Sequence, residues 1–161
     1  RMEALEDALE IATRMLGPDR AAYSGPTAQV QDAINVPRGL QHPRLPILVG
    51  GNGPNRTWRL AARYADELNL DWFSPREVVE ARPVIDSRCD EVGRSPSTLR
   101  LSVNIGRTDS EAEGRPRAEL LRAYAAAGVD RVMTLIRASA ADDDALARFA
   151  DDCAAAGCEL D

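Results

Sequence analysis

Leu45-Pro46-Ile47-Leu48-Val49-Gly50-Gly51-Asn52-Gly53-Pro54 is a short apolar run that stops at a glycine cluster. A helical pattern follows it in Arg56-Thr57-Trp58-Arg59-Leu60-Ala61-Ala62-Arg63-Tyr64-Ala65. A buried strand that opens through glycine into a helix N-terminus is a place to hold an anion. Glycine lets backbone N–H groups approach closely, and the helix end adds unpaired donors and a partial positive charge. Phosphate-bearing cofactors are the usual occupants of such turns. An ordinary strand–turn–helix without a ligand has the same local pattern.

Outward from that stretch the chain alternates helix and strand. Upstream, Met2, Leu5, Leu9, Ala12, Met15 and Leu16 fall on one face of an amphipathic helix that Gly17-Pro18 stops. Residues 19–44 carry Pro, Gly, Gln and Asn without clear periodicity and read as a long connector or insertion. A strand at Ile47 to Val49 precedes the glycine loop, and a helix from about Asn55 to Ala65 follows it, with Pro54 near its first turn.

Downstream, Glu67 to Asp71 predicts a second strand. Ser74-Pro75-Arg76-Glu77 has the form of a capping box, with serine at N-cap and glutamate at N3. The helix it opens runs towards Val92 and Gly93, with a kink or a split into two short helices expected at Arg82-Pro83. Leu99 to Ile105 alternates as a third strand. A helix from about Pro116 to Ala127, a fourth strand from Arg131 to Ile136, and a helix from about Asp142 to Ala156 complete the pattern. The last helix should pack Leu146, Phe149, Ala150 and Cys153 and stop at Gly157.

Strand and helix in alternation imply parallel strands, because each helix serves as a crossover. Two α/β architectures fit: an open doubly wound sheet, or part of a (β/α)8 barrel, which needs ~250 residues when complete. The open sheet would bind a dinucleotide through G-x-G-x-x-G and a downstream acidic residue. Gly51-Asn52-Gly53 fits the first part and Asp71 stands at the end of the next strand, but Arg56 replaces the third glycine.

Composition narrows the partners. The chain has 161 residues, 44% hydrophobic and 29% charged, with a formal net charge of −6. An acidic balance argues against nucleic acid or an anionic membrane surface as the main partner. No apolar run approaches the ~20 residues of a membrane span, and no signal-peptide pattern is visible, so the expected location is cytoplasmic. Cys89, Cys153 and Cys158 form no CxxC, and with the single histidine, His42, they make no zinc set. Cys89 and Cys153 fall on apolar helical positions and read as small core residues.

The region from Pro46 to Gly53, with Arg56-Thr57 and Leu60-Ala61-Ala62-Arg63-Tyr64-Ala65-Asp66, resembles the signature of the luciferase-like monooxygenase superfamily, in its branch that uses coenzyme F420 or FMN. Asn69 stands where that pattern has an Asn. Arg1 to Leu16 resembles the family's Arg-x-x-x-Leu-Glu-Glu-Ala helix, and Tyr23-Ser24-Gly25 the start of its insertion. Cys89 to Pro96 and Tyr124 to Val132 resemble its later helix ends.

The resemblance implies the second half of a (β/α)8 barrel, with residues 1–161 a single partial domain. The chain would then be a fragment of a longer enzyme, paired with an N-terminal half, or a half-barrel that self-associates. It also implies a flavin-type cofactor, coenzyme F420 or FMN, and a small organic substrate. Gly50, Gly51, Asn52 and Gly53 would line the cofactor by their backbone donors. Arg56 and Thr57 would bond its phosphate, and the helix capped by Ser74 would offer a second phosphate site. Trp72 and Phe73 could wall the ring. Asp66, Glu67 and Asp71 are acids by type only, and no catalytic residue is assigned. Two other readings stay open: a non-catalytic half-barrel that acts by assembly, and an open-sheet NAD(P)-binding domain.

Overall fold

The computed structural model describes residues 2–106 and 116–160; Arg1, which opens the resemblance's first helix motif, lies outside them. The chain begins with α1 (Met2–Leu16), which buries Leu9 and seats Met2 and Leu5 against the core. Next come two short strands, β1 (Ala21–Ser24) and β2 (Gln29–Ala33), paired antiparallel. The main unit is β3 (Leu48–Gly50), α2 (Thr57–Tyr64), β4 (Glu67–Asp71), α3 (Pro75–Glu91), β5 (Arg100–Gly106), α4 (Arg117–Ala126), β6 (Arg131–Thr134) and α5 (Ala145–Ala156). Its four strands form one parallel sheet in the order β3-β4-β5-β6.

The α/β class read from the sequence therefore holds: four parallel strands alternate with helices, as in half of a (β/α)8 barrel. The strand order runs in one direction without reversal. A doubly wound sheet binds its dinucleotide where the order reverses, and the described strands contain no such reversal.

Sheet register assigns the two faces. Val49, Leu68 and Leu101 share a level, as do Leu70, Val103 and Val132. These residues meet Leu60, Ala61, Val78, Ile85, Leu120 and Tyr124 of the helices in one core, with Leu68, Leu70, Leu101 and Val103 fully enclosed. Cutting one such leucine to alanine costs ~2–5 kcal/mol. The opposite face alternates with it and carries Glu67, Asn69, Asp71, Arg100, Ser102 and Asn104. Branched apolar residues normally fill a barrel interior; these rungs are polar. Both outer strands, β3 and β6, have one neighbour each among the described residues.

The sequence reading needs several corrections. Residues 19–44 contain the β1–β2 hairpin, whose short polar strands show no alternation of their own. Tertiary contact supplies what pattern does not. Asp7 of α1 is buried and accepts from Tyr23 Oη (2.7 Å), Thr27 N (2.7 Å), Thr27 Oγ1 (2.7 Å) and Ala28 N (3.0 Å). Gly25 is required by the same approach, since a Cβ there would sit 2.1 Å from Asp7 Oδ1. Pro83 does not split α3, which runs through it; Pro83 and Val79, whose carbonyl loses its donor, both lie on the exposed side. The last helix starts at Ala145, after a short 3-10 turn at Arg137–Ala140, and Leu146 is 57% exposed rather than packed. β6 stops at Thr134, and Leu135 points to solvent.

Two expectations hold in detail. Ser74 Oγ accepts from Glu77 N, and the Glu77 carboxylate accepts from Ser74 N at 2.8 Å, a full capping box. Cys89 and Cys153 are buried, and burial raises both thiol pKa values. Among the described residues no helix is long and apolar enough to cross a membrane.

Candidate functional site

The Ala65-Asp66 end of the signature sets where the glycine strand begins. Asp66 Oδ2 accepts from Ile47 N at 2.7 Å and pairs with Arg44 Nη1 at 2.6 Å. Arg94 closes the C-terminus of α2, donating to Ala62 O (3.2 Å) and Ala65 O (2.5 Å). Tyr64 ties α2 to α1 through its hydroxyl, which donates to Glu10 Oε1 at 2.9 Å. Burial raises the Tyr64 pKa and keeps this phenol protonated.

β3 then delivers the glycine loop to the carboxyl edge of the sheet, the functional face in (β/α)8 barrels. Its hydrogen bonds divide by type. The carbonyls of Gly51 and Gly53 are both engaged by Trp58, the first by its indole Nε1 (3.0 Å) and the second by its backbone N–H (3.0 Å). Gly51 N–H donates to Asn69 O at 2.9 Å, continuing the ladder one residue past the strand. Beyond that point donors outnumber acceptors. Among the described residues no backbone or side-chain group accepts from N–H of Asn52, Gly53, Asn55, Arg56 or Thr57. With the Gly51 and Gly53 carbonyls engaged and these donors left over, the loop has the chemistry to favour an anion.

Glycine is required twice. Gly51 has φ +133°, a conformation that side chains resist, and a Cβ there would lie 3.2 Å from Thr57 Cγ2. At Gly53 a Cβ would lie 2.9 Å from Thr57 Oγ1. Thr57, first residue of α2, therefore sits directly under the loop, and its hydroxyl faces it.

The structure separates the other expected site residues. Asn52 turns its side chain to β4: Nδ2 donates to Asp71 O (2.7 Å) and Oδ1 accepts from Asp71 N (2.9 Å). Arg56 is exposed, and it lines a hollow of about 730 Å³ with Met2, Arg59, Arg63 and Val92, between the outer helices. Gly50 ends β3 in register with Asn69. Ser74 is occupied by its capping box, and the Glu77 carboxylate stands at that helix end, held below the usual carboxylate range by the Ser74 backbone N–H and hydroxyl.

Phe73 packs edge-on against Trp58, with ring centroids 6.3 Å apart, and its carbonyl accepts from Tyr124 Oη at 2.8 Å. Trp72 instead stands 54% exposed at φ +61°, with its N–H on Asn104 O. Positive φ in a bulky residue is a strained conformation.

Of the acids, Asp66 is structural. Asp71 lies at the mouth and accepts from Asn104 Nδ2 at 3.2 Å. Glu67 lies at the opposite end of β4, almost wholly buried, 3.4 Å from Arg100 and 3.5 Å from Arg131. Its Oε1 has no hydrogen-bond partner among the described residues. The Asn52–Asp71–Asn104 chain and the role of Trp58 escaped the sequence reading, because an asparagine among glycines reads as a turn former whatever it bonds.

A one-directional parallel β/α sheet with a glycine loop at its carboxyl edge defines this as a barrel-type α/β protein. The chain belongs to the luciferase-like monooxygenase family, whose sequence model matches residues 1–154. Two solved structures share the fold. One is an F420-dependent secondary alcohol dehydrogenase in complex with an F420-acetone adduct: TM-score 0.73, 12% identity, covering 96% of this chain and 62% of that one. The other is the coenzyme F420-dependent tetrahydromethanopterin reductase of Methanopyrus kandleri: TM-score 0.56, 18% identity, covering 75% of this chain and 33% of that one. The chain thus spans less than two thirds of either. A search of curated protein sequences finds no match.

Proposed function

We propose that this chain is the cofactor-binding part of an F420- or FMN-dependent luciferase-like oxidoreductase acting on a small organic substrate. The donor-lined glycine loop carries this reading. Its N–H groups at Asn52, Gly53, Asn55, Arg56 and Thr57 have no acceptor among the described residues, the Gly51 and Gly53 carbonyls are bonded by Trp58, and a Cβ at Gly51 or Gly53 would crowd Thr57. Backbone donors from Asn52, Gly53 and the first turn of α2, with the Thr57 hydroxyl, would hold a phosphate of the cofactor. Arg56 would have to swing from its outer hollow to join them, so it contributes charge at longer range. Gly50 and Gly51 would form the floor, and the exposed Trp72 an aromatic wall. Ser74 keeps its capping role.

The cofactor, when bound, supplies hydride transfer as a deazaflavin or oxygen activation as reduced FMN. The residues of this chain bind and orient it and exclude water. Residues 1–161 would serve as one partial domain, with residues 19–44 as an insertion tied to α1, working in the cytoplasm. Family membership and the name of the F420-dependent dehydrogenase that shares the fold support the cofactor class. The two outer strands with single neighbours support a partner: an N-terminal half-barrel, or a second copy.

The test is a fluorescence titration of the chain with F420, FMN and NADPH. Saturable binding of F420 or FMN, weakened by Gly51→Ala, is the expected result. Binding of NADPH alone, or of none of the three, overturns the reading.

A further inference from the structure

We infer that Asn52 is a positioning residue, which sets the anion cradle by locking the glycine loop to the end of the neighbouring strand β4. This rests on the phosphate-site reading above and adds a residue whose side chain never meets the ligand. The Asn52 carboxamide imitates a backbone peptide: it donates to Asp71 O and accepts from Asp71 N, at 2.7 and 2.9 Å. It thus extends the β3–β4 ladder beyond the point where β3 has ended. The lock continues sideways, because Asn104 Nδ2 donates to Asp71 Oδ1 at 3.2 Å and Trp72 N–H donates to Asn104 O at 2.9 Å. The Asn52 carboxamide ties the end of β3 to β4, and the Asn104 carboxamide ties β4 to β5 through the same Asp71.

The consequence falls on the loop. With the Gly51 and Gly53 carbonyls held by Trp58 and the Asn52 side chain held by Asp71, the peptides between them are fixed, and the Asn52 and Gly53 N–H groups have no acceptor among the described residues. A glycine loop without such ties samples many conformations, and binding must then order it. Asparagine is suited to the task because one short side chain carries both a donor and an acceptor. Aspartate lacks the donor, and serine is too short to span both groups.

The test uses the isotopically labelled chain, with inorganic phosphate as the probe and backbone amide shifts as the readout, alongside hydrogen exchange. In the parent chain, phosphate should shift the amides of Asn52, Gly53 and Thr57, and the Asp71 amide should be protected. In Asn52→Ala the Asp71 amide should lose protection while those of Leu68 and Leu70 keep theirs, and phosphate affinity should fall on the order of tenfold. Unchanged phosphate affinity with a deprotected Asp71 amide overturns the positioning role and leaves the phosphate site standing. An absence of loop shifts in the parent chain overturns the site and the inference together. Should the alanine variant lose protection throughout β4, Asn52→Ser decides, being turn-compatible; parent-like affinity in that folded variant also overturns the inference.

Discussion

Gly51 and Gly53 sit two residues apart and both press on Thr57, yet alanine should act on them by different mechanisms. At Gly51 the backbone itself objects. Its φ of +133° is one that side chains rarely adopt, and the added Cβ would also stand 3.2 Å from Thr57 Cγ2. Backbone strain of this kind costs ~1–3 kcal/mol, and the tight methyl contact adds to it, for a total of roughly 2–4 kcal/mol. At Gly53 the obstacle is the side chain of Thr57, whose Oγ1 would be 2.9 Å from the new Cβ. Relief of unfolded-state entropy offsets part of that collision, by about 0.4–1 kcal/mol, leaving a net cost of roughly 0.5–2 kcal/mol. Thr57→Ala removes the obstacle in both cases and the backbone strain in neither. Urea unfolding of the two single variants and their Thr57→Ala doubles therefore forms a discriminating set. Thr57→Ala should restore most of the stability lost in Gly53→Ala and less than half of that lost in Gly51→Ala. Full restoration of Gly51→Ala by Thr57→Ala would show that the loop's backbone geometry is not under strain. Glycine would then not be what builds the cradle.

Asp7 should make the hairpin acid-sensitive. Its carboxyl is held below the ordinary value of 3.8, chiefly by the Thr27 hydroxyl, and also by Tyr23 and two backbone N–H groups. A group with a lowered folded pKa stabilises above its unfolded pKa and loses that contribution as pH falls through the folded value. Stability measured by urea melts from pH 5 to pH 2 should therefore drop in the parent chain, with a shallower drop in Asp7→Asn; parallel curves would remove Asp7 from the account. The three thiols should differ in reactivity: Cys158 is half-buried, whereas Cys89 and Cys153 are buried with raised pKa values. Timed alkylation of the native chain at pH 8 followed by mass mapping should label Cys158 first, and early labelling of Cys89 would contradict the packing of α3 on the sheet.

The parts of this molecule legible in its sequence are those that short-range chemistry decides. The Ser74-Pro75-Arg76-Glu77 box fixes a helix start by reciprocal bonds three residues apart, and it stands as read. Glu67 to Asp71 was readable as a strand because its apolar residues, Leu68 and Leu70, alternate towards one covered face. The hairpin at Ala21–Ser24 and Gln29–Ala33 was not, because its reason for existing is Asp7, a residue on another element that accepts four hydrogen bonds from it. The site divides in the same way. Glycines before a helix announce a tight turn, and the backbone conformation at Gly51 is one that needs glycine. What sequence could not supply was direction. Arg56, placed by number beside the loop, turns to the outer hollow between helices. Asn52, placed by number inside the loop, reaches across to Asp71. Spacing along the chain therefore finds the elements that meet at the mouth, whereas the partition of their side chains between ligand and scaffold depends on contacts across strands. The polar face of Glu67, Asn69, Ser102 and Asn104 makes the same point at larger scale. Each residue taken alone looks like a solvated strand position, and only the sheet register shows that together they line the side turned away from every helix of the core.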